Sequence, residues 1–212
     1  MDTKFKIINA IIEHKIIAIV RGVKVNEAVK IAHALYSGGI KLIEVTFNSE
    51  GAMEMIMAIK EEMKEKMHVG AGTVLDSETA KMAFYAGAEY ILSPILDQGM
   101  INICNRYGKI AIPGIATPTE AIKAMQWGAD FIKLFPASDL GPNYIKSIKG
   151  PIKQARIIAV GGINLNNAKE FLNAGAVGLG LGSSLVNNQL IIGSNYEEIC
   201  TRAKKYISIC FS

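Results

Sequence analysis

Two hydrophobic rhythms alternate along this chain. Short apolar runs of strand length recur at IIAIVRG (16–22), KLIEVT (41–46), HVGAGTV (68–74) and EYILSP (89–94). They continue at KIAIPGI (109–115), DFIKLFP (130–136), RIIAVGGI (156–163) and VGLGLGSS (177–184). These runs are β-rich and end in turn residues, which predicts strands. Stretches with helical patterning separate them, for example 26–36, 50–66, 77–85 and 166–173. Every second run opens in the same way, after Gly39, Gly87, Gly128 or Gly175. Each of these glycines follows a helical stretch and predicts a C-cap that feeds a strand. Phe5, Ile8, Ile11 and Ile12 mark one face of a short N-terminal helix, and 196–209 reads as a closing helix.

Strands alternating with helices imply parallel βαβ units. Eight of them predict an α/β chain folded as a single (β/α)8 TIM barrel over 1–212, with a short helix in front. The competing architecture is an open doubly wound sheet. Its usual signal is GxGxxG after the first strand. Here Gly178, Gly180 and Gly182 lie in the last strand instead.

Composition narrows the classes. The chain has 212 residues, half of them hydrophobic and 20% charged, as in a soluble globular domain. The net charge of +4 is spread over scattered lysines, so no nucleic-acid surface is expected. Glu13, His14 and Lys15 interrupt the apolar N-terminal stretch, so no membrane span is expected. Cys104, Cys200 and Cys210 are odd in number and form no CxxC pair. That argues against a disulfide framework or zinc site and suits a cytoplasmic protein. His14, His33 and His68 show no ligand spacing, and Trp127 reads as packing.

The candidate chemistry starts at Lys133, in the middle of FIKLFP. An ammonium buried without a partner is costly, and burial favours the neutral amine. A neutral lysine amine attacks carbonyls to form Schiff bases. The plainer alternative is a lysine that snorkels to water at the strand end. The repeat separates the two. Glu44, Leu92, Lys133 and Gly180 each lie five residues after their opening glycine. Alternate strands supply each layer of a barrel, so these residues are predicted to share one layer. Glu44 and Lys133 would then face each other across it. A structural ion pair there is weakly favoured, because desolvation offsets the Coulomb gain. The functional reading makes Lys133 the nucleophile and Glu44 the general acid/base.

Other candidates surround this pair. Val160-Gly161-Gly162-Ile163-Asn164 and Leu181-Gly182-Ser183-Ser184 follow the last two strands, where barrels commonly cradle a phosphate. Their glycines are alternatively read as tight turns. Thr73 either contacts a substrate carboxylate or caps the next helix. Arg21 either binds a carboxylate or is a solvated strand-end charge. Pro94 and Phe135 end strands and are expected to shape the pocket wall.

IEVTF around Glu44, GAGTVL around Thr73, LSP at 92–94, IPGIATPTE at 112–120, FIKLFPA at 131–137 and GGIN at 161–164 appear in order. Together they resemble the 2-keto-3-deoxy-6-phosphogluconate (KDPG) / 4-hydroxy-2-oxoglutarate (KHG) aldolases over nearly the whole chain. The resemblance implies a class I aldolase that needs no metal or cofactor, acts on a small-molecule 2-oxo acid and assembles as a homotrimer. It makes Lys133 the Schiff-base lysine, Glu44 the acid/base, Thr73 a pyruvate-carboxylate contact, and Pro94 and Phe135 walls. It makes Gly161, Gly162 and Ser183 phosphate-binding positions. One departure stands out. Many members carry arginine four residues after the catalytic glutamate, where this chain has Asn48. Arg21 is the residue expected to supply that charge. Two alternatives are a metal-independent phosphate-binding barrel of another reaction class and a non-catalytic oxo-acid-binding barrel. A metal-dependent decarboxylase would need an acidic constellation that Asp130 and Asp139 do not supply.

Overall fold

The computed structural model describes residues 3–211. Residues 1, 2 and 212, at the ends of the predicted domain span, lie outside the described residues. Nine strands form one sheet: β1 Ile16–Val20, β2 Leu42–Thr46, β3 His68–Gly72, β4 Tyr90–Leu92, β5 Ile110–Ile112, β6 Gly114–Ile115, β7 Ile132–Leu134, β8 Ile157–Val160 and β9 Gly178–Leu181. Pairing runs β5-β4-β3-β2-β1-β9-β8-β7-β6, and every ladder is parallel. The two ends of this order, β5 and β6, are separated in sequence by Pro113 alone. They are halves of one stave, the predicted run 109–115. Proline has no N–H to give the ladder, so hydrogen bonding breaks there. Lys133 N–H still reaches the Pro113 carbonyl at 2.8 Å. Eight staves therefore close a barrel.

The helices are α1 Thr3–His14, α2 Val25–Ser37, α3 Ala52–Met63, α4 Ser77–Tyr85, α5 Gln98–Arg106, α6 Pro118–Gln126, α7 Ala137–Leu140, α8 Pro142–Lys149, α9 Ala168–Asn173, α10 Asn188–Ile192 and α11 Tyr196–Phe211. The repeat glycines Gly39, Gly87, Gly128 and Gly175 all have φ between 90 and 105°. L-residues rarely adopt that conformation, and it turns each helix end into its strand. Among the described residues, no helix is long and apolar enough to cross a membrane.

Two apolar clusters hold the fold. The larger lies between staves and helices, built from outward-facing strand residues such as Ala18, Val45, Val69 and Leu179 and from helix residues such as Ile31, Leu35, Ile56 and Ile199. The smaller fills the barrel with Ile17, Leu42, Tyr90, Leu92, Ile110, Ile112, Phe131, Ile158 and Val160. Ile7 and Ile11 of α1 belong to this interior cluster. Their neighbours Leu42, Tyr90, Ile110 and Phe131 begin or precede their strands, so α1 closes the N-terminal end of the barrel. The buried stripe of α1 is Ile7, Ala10 and Ile11, whereas Phe5 and Ile12 are exposed. This corrects the predicted face at Phe5 and Ile12, while Ile11 is buried and Ile8 packs against the interior cluster as predicted. The residues buried at this end form a narrow i, i+3, i+4 stripe of the helix.

Candidate active site

The opposite, C-terminal end of the barrel opens into a cavity of about 1060 Å³. That is ample for a small-molecule ligand. Arg21, Glu44, Thr73, Pro94, Lys133, Phe135, Gly161, Gly162 and Ser183 all line it. Of the predicted layer, Gly180 also lines the cavity, while Leu92 packs in the apolar interior.

Glu44 and Lys133 come from β2 and β7 and are 1% and 5% exposed. Burial pulls the Lys133 amine below the usual lysine range. The negative charge of Glu44 opposes this, and Arg21 adds to it. Burial pushes the Glu44 carboxyl up, against the attraction of Lys133 and then Arg21. Each thus moves toward its neutral form. Among the described residues, no ion pair within 4.0 Å joins them. They are close enough to couple, yet apart enough to leave a gap. Glu44 Oε2 is buried without a hydrogen-bond partner. That oxygen is not engaged by any described protein donor and stays available to a bound molecule.

Neighbouring backbone sets these positions. The Glu44 carboxylate lies against Gly72, where a Cβ would fall 1.5 Å from Oε1. The Lys133 amine stands 5.0 Å from the Phe135 ring centroid. That ring packs against Gly161, where a Cβ would lie 3.1 Å away. Gly114 admits the backbone of Pro94, at 2.4 Å from where its Cβ would stand. Thr73 adopts φ of 57°, a conformation uncommon outside glycine and found disproportionately at functional sites. It is not a helix cap, because Asp76 accepts the Thr79 N–H that caps α4. Arg21 instead donates to Thr73 Oγ1 at 3.4 Å. Asn48 is exposed and outside the cavity lining. Among the described residues, Arg21 and Lys133 are the cations of that lining.

At the far side, Gly161 and Gly162 have φ of 96° and 71°. Within the described residues, no hydrogen bond engages the N–H groups of Gly162, Ser183 or Ser184. Free amide donors on glycine-rich turns suit an anion. The arrangement therefore joins an amine whose pKa burial lowers, a carboxyl whose pKa burial raises and a set of free amide donors. That is the equipment for covalent chemistry on a carbonyl compound.

The family profile described as KDPG and KHG aldolase matches residues 7–202. The chain belongs to the KDPG and KHG aldolase family. It is accordingly an aldolase, a lyase, on a (β/α)8 barrel. It is 35% identical to the 2-dehydro-3-deoxy-phosphogluconate aldolase of Treponema pallidum (strain Nichols), over 92% of this chain and 93% of that protein. It is 34% identical to the 2-dehydro-3-deoxy-6-phosphogalactonate aldolase of Escherichia coli (strain K12), over 91% and 92%. Among solved structures, a KDPG aldolase from Legionella pneumophila, with pyruvate captured as a covalent carbinolamine, superposes with a TM-score of 0.87. It is 26% identical and covers 93% of this chain and 96% of its own.

Asn187 and Asn188 line the rim of the enzyme's cavity without having been singled out from sequence, and Asn164 and Ser184 were noted only as loop residues. The signal for Ser184 and Asn164 was adjacency to Ser183 and Gly162. Asn187 and Asn188 carried none, since asparagines after a strand are ordinary loop residues. Among the described residues, no group of three or more His, Cys, Asp or Glu is placed to hold a metal ion.

Proposed function

We propose that the enzyme cleaves a six-carbon 2-keto-3-deoxy-6-phospho sugar acid, or 4-hydroxy-2-oxoglutarate, through an imine on Lys133. The observation that carries this reading is the buried Lys133 amine, lowered in pKa, across a gap from the unpartnered oxygen of Glu44. The neutral amine attacks C2 of the 2-oxo acid, and the carbinolamine hydroxyl takes a proton from Glu44 and leaves as water, giving an iminium and the Glu44 carboxylate. The C4 hydroxyl proton passes to Glu44. The C3–C4 bond then breaks, its electrons entering the iminium to leave an enamine, and the aldehyde departs. Glu44 returns the proton to C3, and water then hydrolyses the iminium, releasing pyruvate and the free amine and giving its proton back to Glu44. Groups that change proton state in this way work best with pKa values drawn toward neutrality, the direction of both shifts.

Arg21 and Thr73 take the substrate carboxylate, and Pro94 and Phe135 flank the reacting carbons. The free N–H groups of Gly162 and Ser183, beside Gly161, favour a phosphate on the departing aldehyde. Glyceraldehyde 3-phosphate is then the product, with glyoxylate as that of the shorter substrate. A homotrimer belongs to this reading on family resemblance, and a cytoplasmic location on its three free cysteines.

Borohydride reduction in the presence of pyruvate, followed by peptide mass spectrometry, tests the core of the reading. A reduced pyruvyl adduct on Lys133, lost in Lys133→Ala, is expected. No adduct at saturating pyruvate would leave the non-covalent phosphate barrel as the better account.

A further inference from the structure

Arg21 stands one residue past β1, where the ladder to β2 has ended at Val20 paired with Val45. A side chain there inherits the freedom of the peptides on both sides of it. Two buried hydroxyls remove that freedom. Ser49 Oγ accepts the Gly22 N–H at 2.9 Å. Ser49 Oγ and Thr46 Oγ1 lie 2.9 Å apart. Thr46 Oγ1 is 3.4 Å from the Val20 carbonyl oxygen. One proton arrangement satisfies all three: Gly22 N–H donates to Ser49, Ser49 donates to Thr46, and Thr46 donates to Val20. Each hydroxyl then gives once and receives once, and such chains strengthen cooperatively.

The chain of bonds begins on the peptide after Arg21 and ends on the peptide before it. Gly22, at φ of 64°, is held in a left-handed turn by the Ser49 end. Thr46 is 0% and Ser49 8% exposed, and neither lines the cavity. Their hydroxyls are therefore spent on backbone rather than on solvent or ligand.

We propose that Thr46 and Ser49 are positioning residues that hold the Arg21 guanidinium beside Thr73, ready for the carboxylate of the 2-oxo acid. This rests on the reading of Arg21 as the carboxylate partner. The loop after β2 thus contributes to substrate binding through Ser49, by way of its neighbour strand, and not through the exposed Asn48.

Steady-state kinetics of Ser49→Ala, Thr46→Val, Arg21→Gln and the double variant Ser49→Ala/Arg21→Gln test the inference. Loss of one such buried hydrogen bond is expected to raise KM about fivefold in Ser49→Ala, with kcat little changed. The same substitution is expected to have no further effect once Arg21 is gone, because it acts through Arg21. Ser49→Thr, which keeps the hydroxyl, restores the wild-type KM. Thr46→Val repeats the test at the other hydroxyl should Ser49→Ala fold poorly. An unchanged KM in both hydroxyl variants, or an effect of Ser49→Ala that persists in full without Arg21, overturns the inference. An unchanged KM in Arg21→Gln is a separate result, and overturns the carboxylate reading on which it stands.

Discussion

Gly72 offers a way to move the Glu44 carboxyl without altering Glu44. A Cβ added at Gly72 would lie 1.5 Å from Oε1, 2.3 Å from Cδ and 2.6 Å from Cγ of Glu44. Ordinary van der Waals separation is about 3.5 Å, so Gly72→Ala drives the carboxylate away by roughly 2 Å. Gly72 is not among the left-handed glycines, and the atoms it would strike belong to the free end of a side chain. Most of the fold therefore survives. Misplacing a reacting group by 1 Å can cost on the order of 100-fold, and general acid–base help is worth about 10²–10⁴-fold. Gly72→Ala is expected to lower kcat by at least about 100-fold, close to Glu44→Gln. Combining the two substitutions should add little, since both remove the same placement. Pyruvate release coupled to lactate dehydrogenase gives the rates, and a thermal melt checks folding. Borohydride trapping at saturating pyruvate should still label Lys133, which Gly72 does not touch. A folded Gly72→Ala enzyme with kcat near wild type would refute the placement of Glu44 as the proton carrier.

The charges that act on Lys133 predict opposite pH shifts. Glu44 holds its pKa up and Arg21 pushes it down, so Glu44→Gln should move the pH dependence of trapping to lower pH and Arg21→Gln to higher pH. Trapping rates at saturating pyruvate across pH check both signs. Gly162 has φ of 71° and a Cβ there would meet Ser138 Oγ at 2.1 Å. Gly162→Ala should raise KM for the phosphorylated substrate about tenfold, or ~1.4 kcal/mol, while pyruvate trapping is unchanged; an unaltered KM contradicts the anion cradle. Burial alone raises the pKa of Glu89, and hydrogen bonds from His68 and Lys60 more than reverse it, leaving it below 4.5. A depressed pKa stabilises the fold above pH 4.5 and loses that contribution as pH falls through the folded value. Glu89→Ala, which strands Lys60 and His68, should cost about 1–3 kcal/mol near neutrality in urea unfolding and flatten the acid limb of stability.

The barrel was legible because its strands are buried on both faces, so each appears as an apolar run, and because four glycines repeat one left-handed turn. Lys133 and Glu44 were legible for the same reason: a charge inside such a run is conspicuous. The break at Pro113 was not, since IAIPGI reads as one run until the missing N–H is set against its partners. The clamp of Thr46 and Ser49 left no trace either. Hydroxyls at a strand end are common, and only the geometry shows that two of them bracket Arg21. The α1 stripe was misplaced at Phe5 and Ile12 because four apolar residues within two turns allow more than one face, and the mouth they enter is fixed by strands far away in sequence.

Because Ile7 and Ile11 of α1 seal the base, the barrel behaves as a vessel with one neck. Everything that reaches Lys133 enters and leaves by the C-terminal opening. In the proposed reaction, the water that hydrolyses the pyruvyl imine must use the passage by which the aldehyde leaves. The aldehyde therefore has to clear before hydrolysis begins, and while it stays the enamine is shielded and the reverse condensation is favoured. In the proposed reaction the covalent bond to Lys133 sets the order of departure, aldehyde first and pyruvate second, and the plug makes both leave by the same opening.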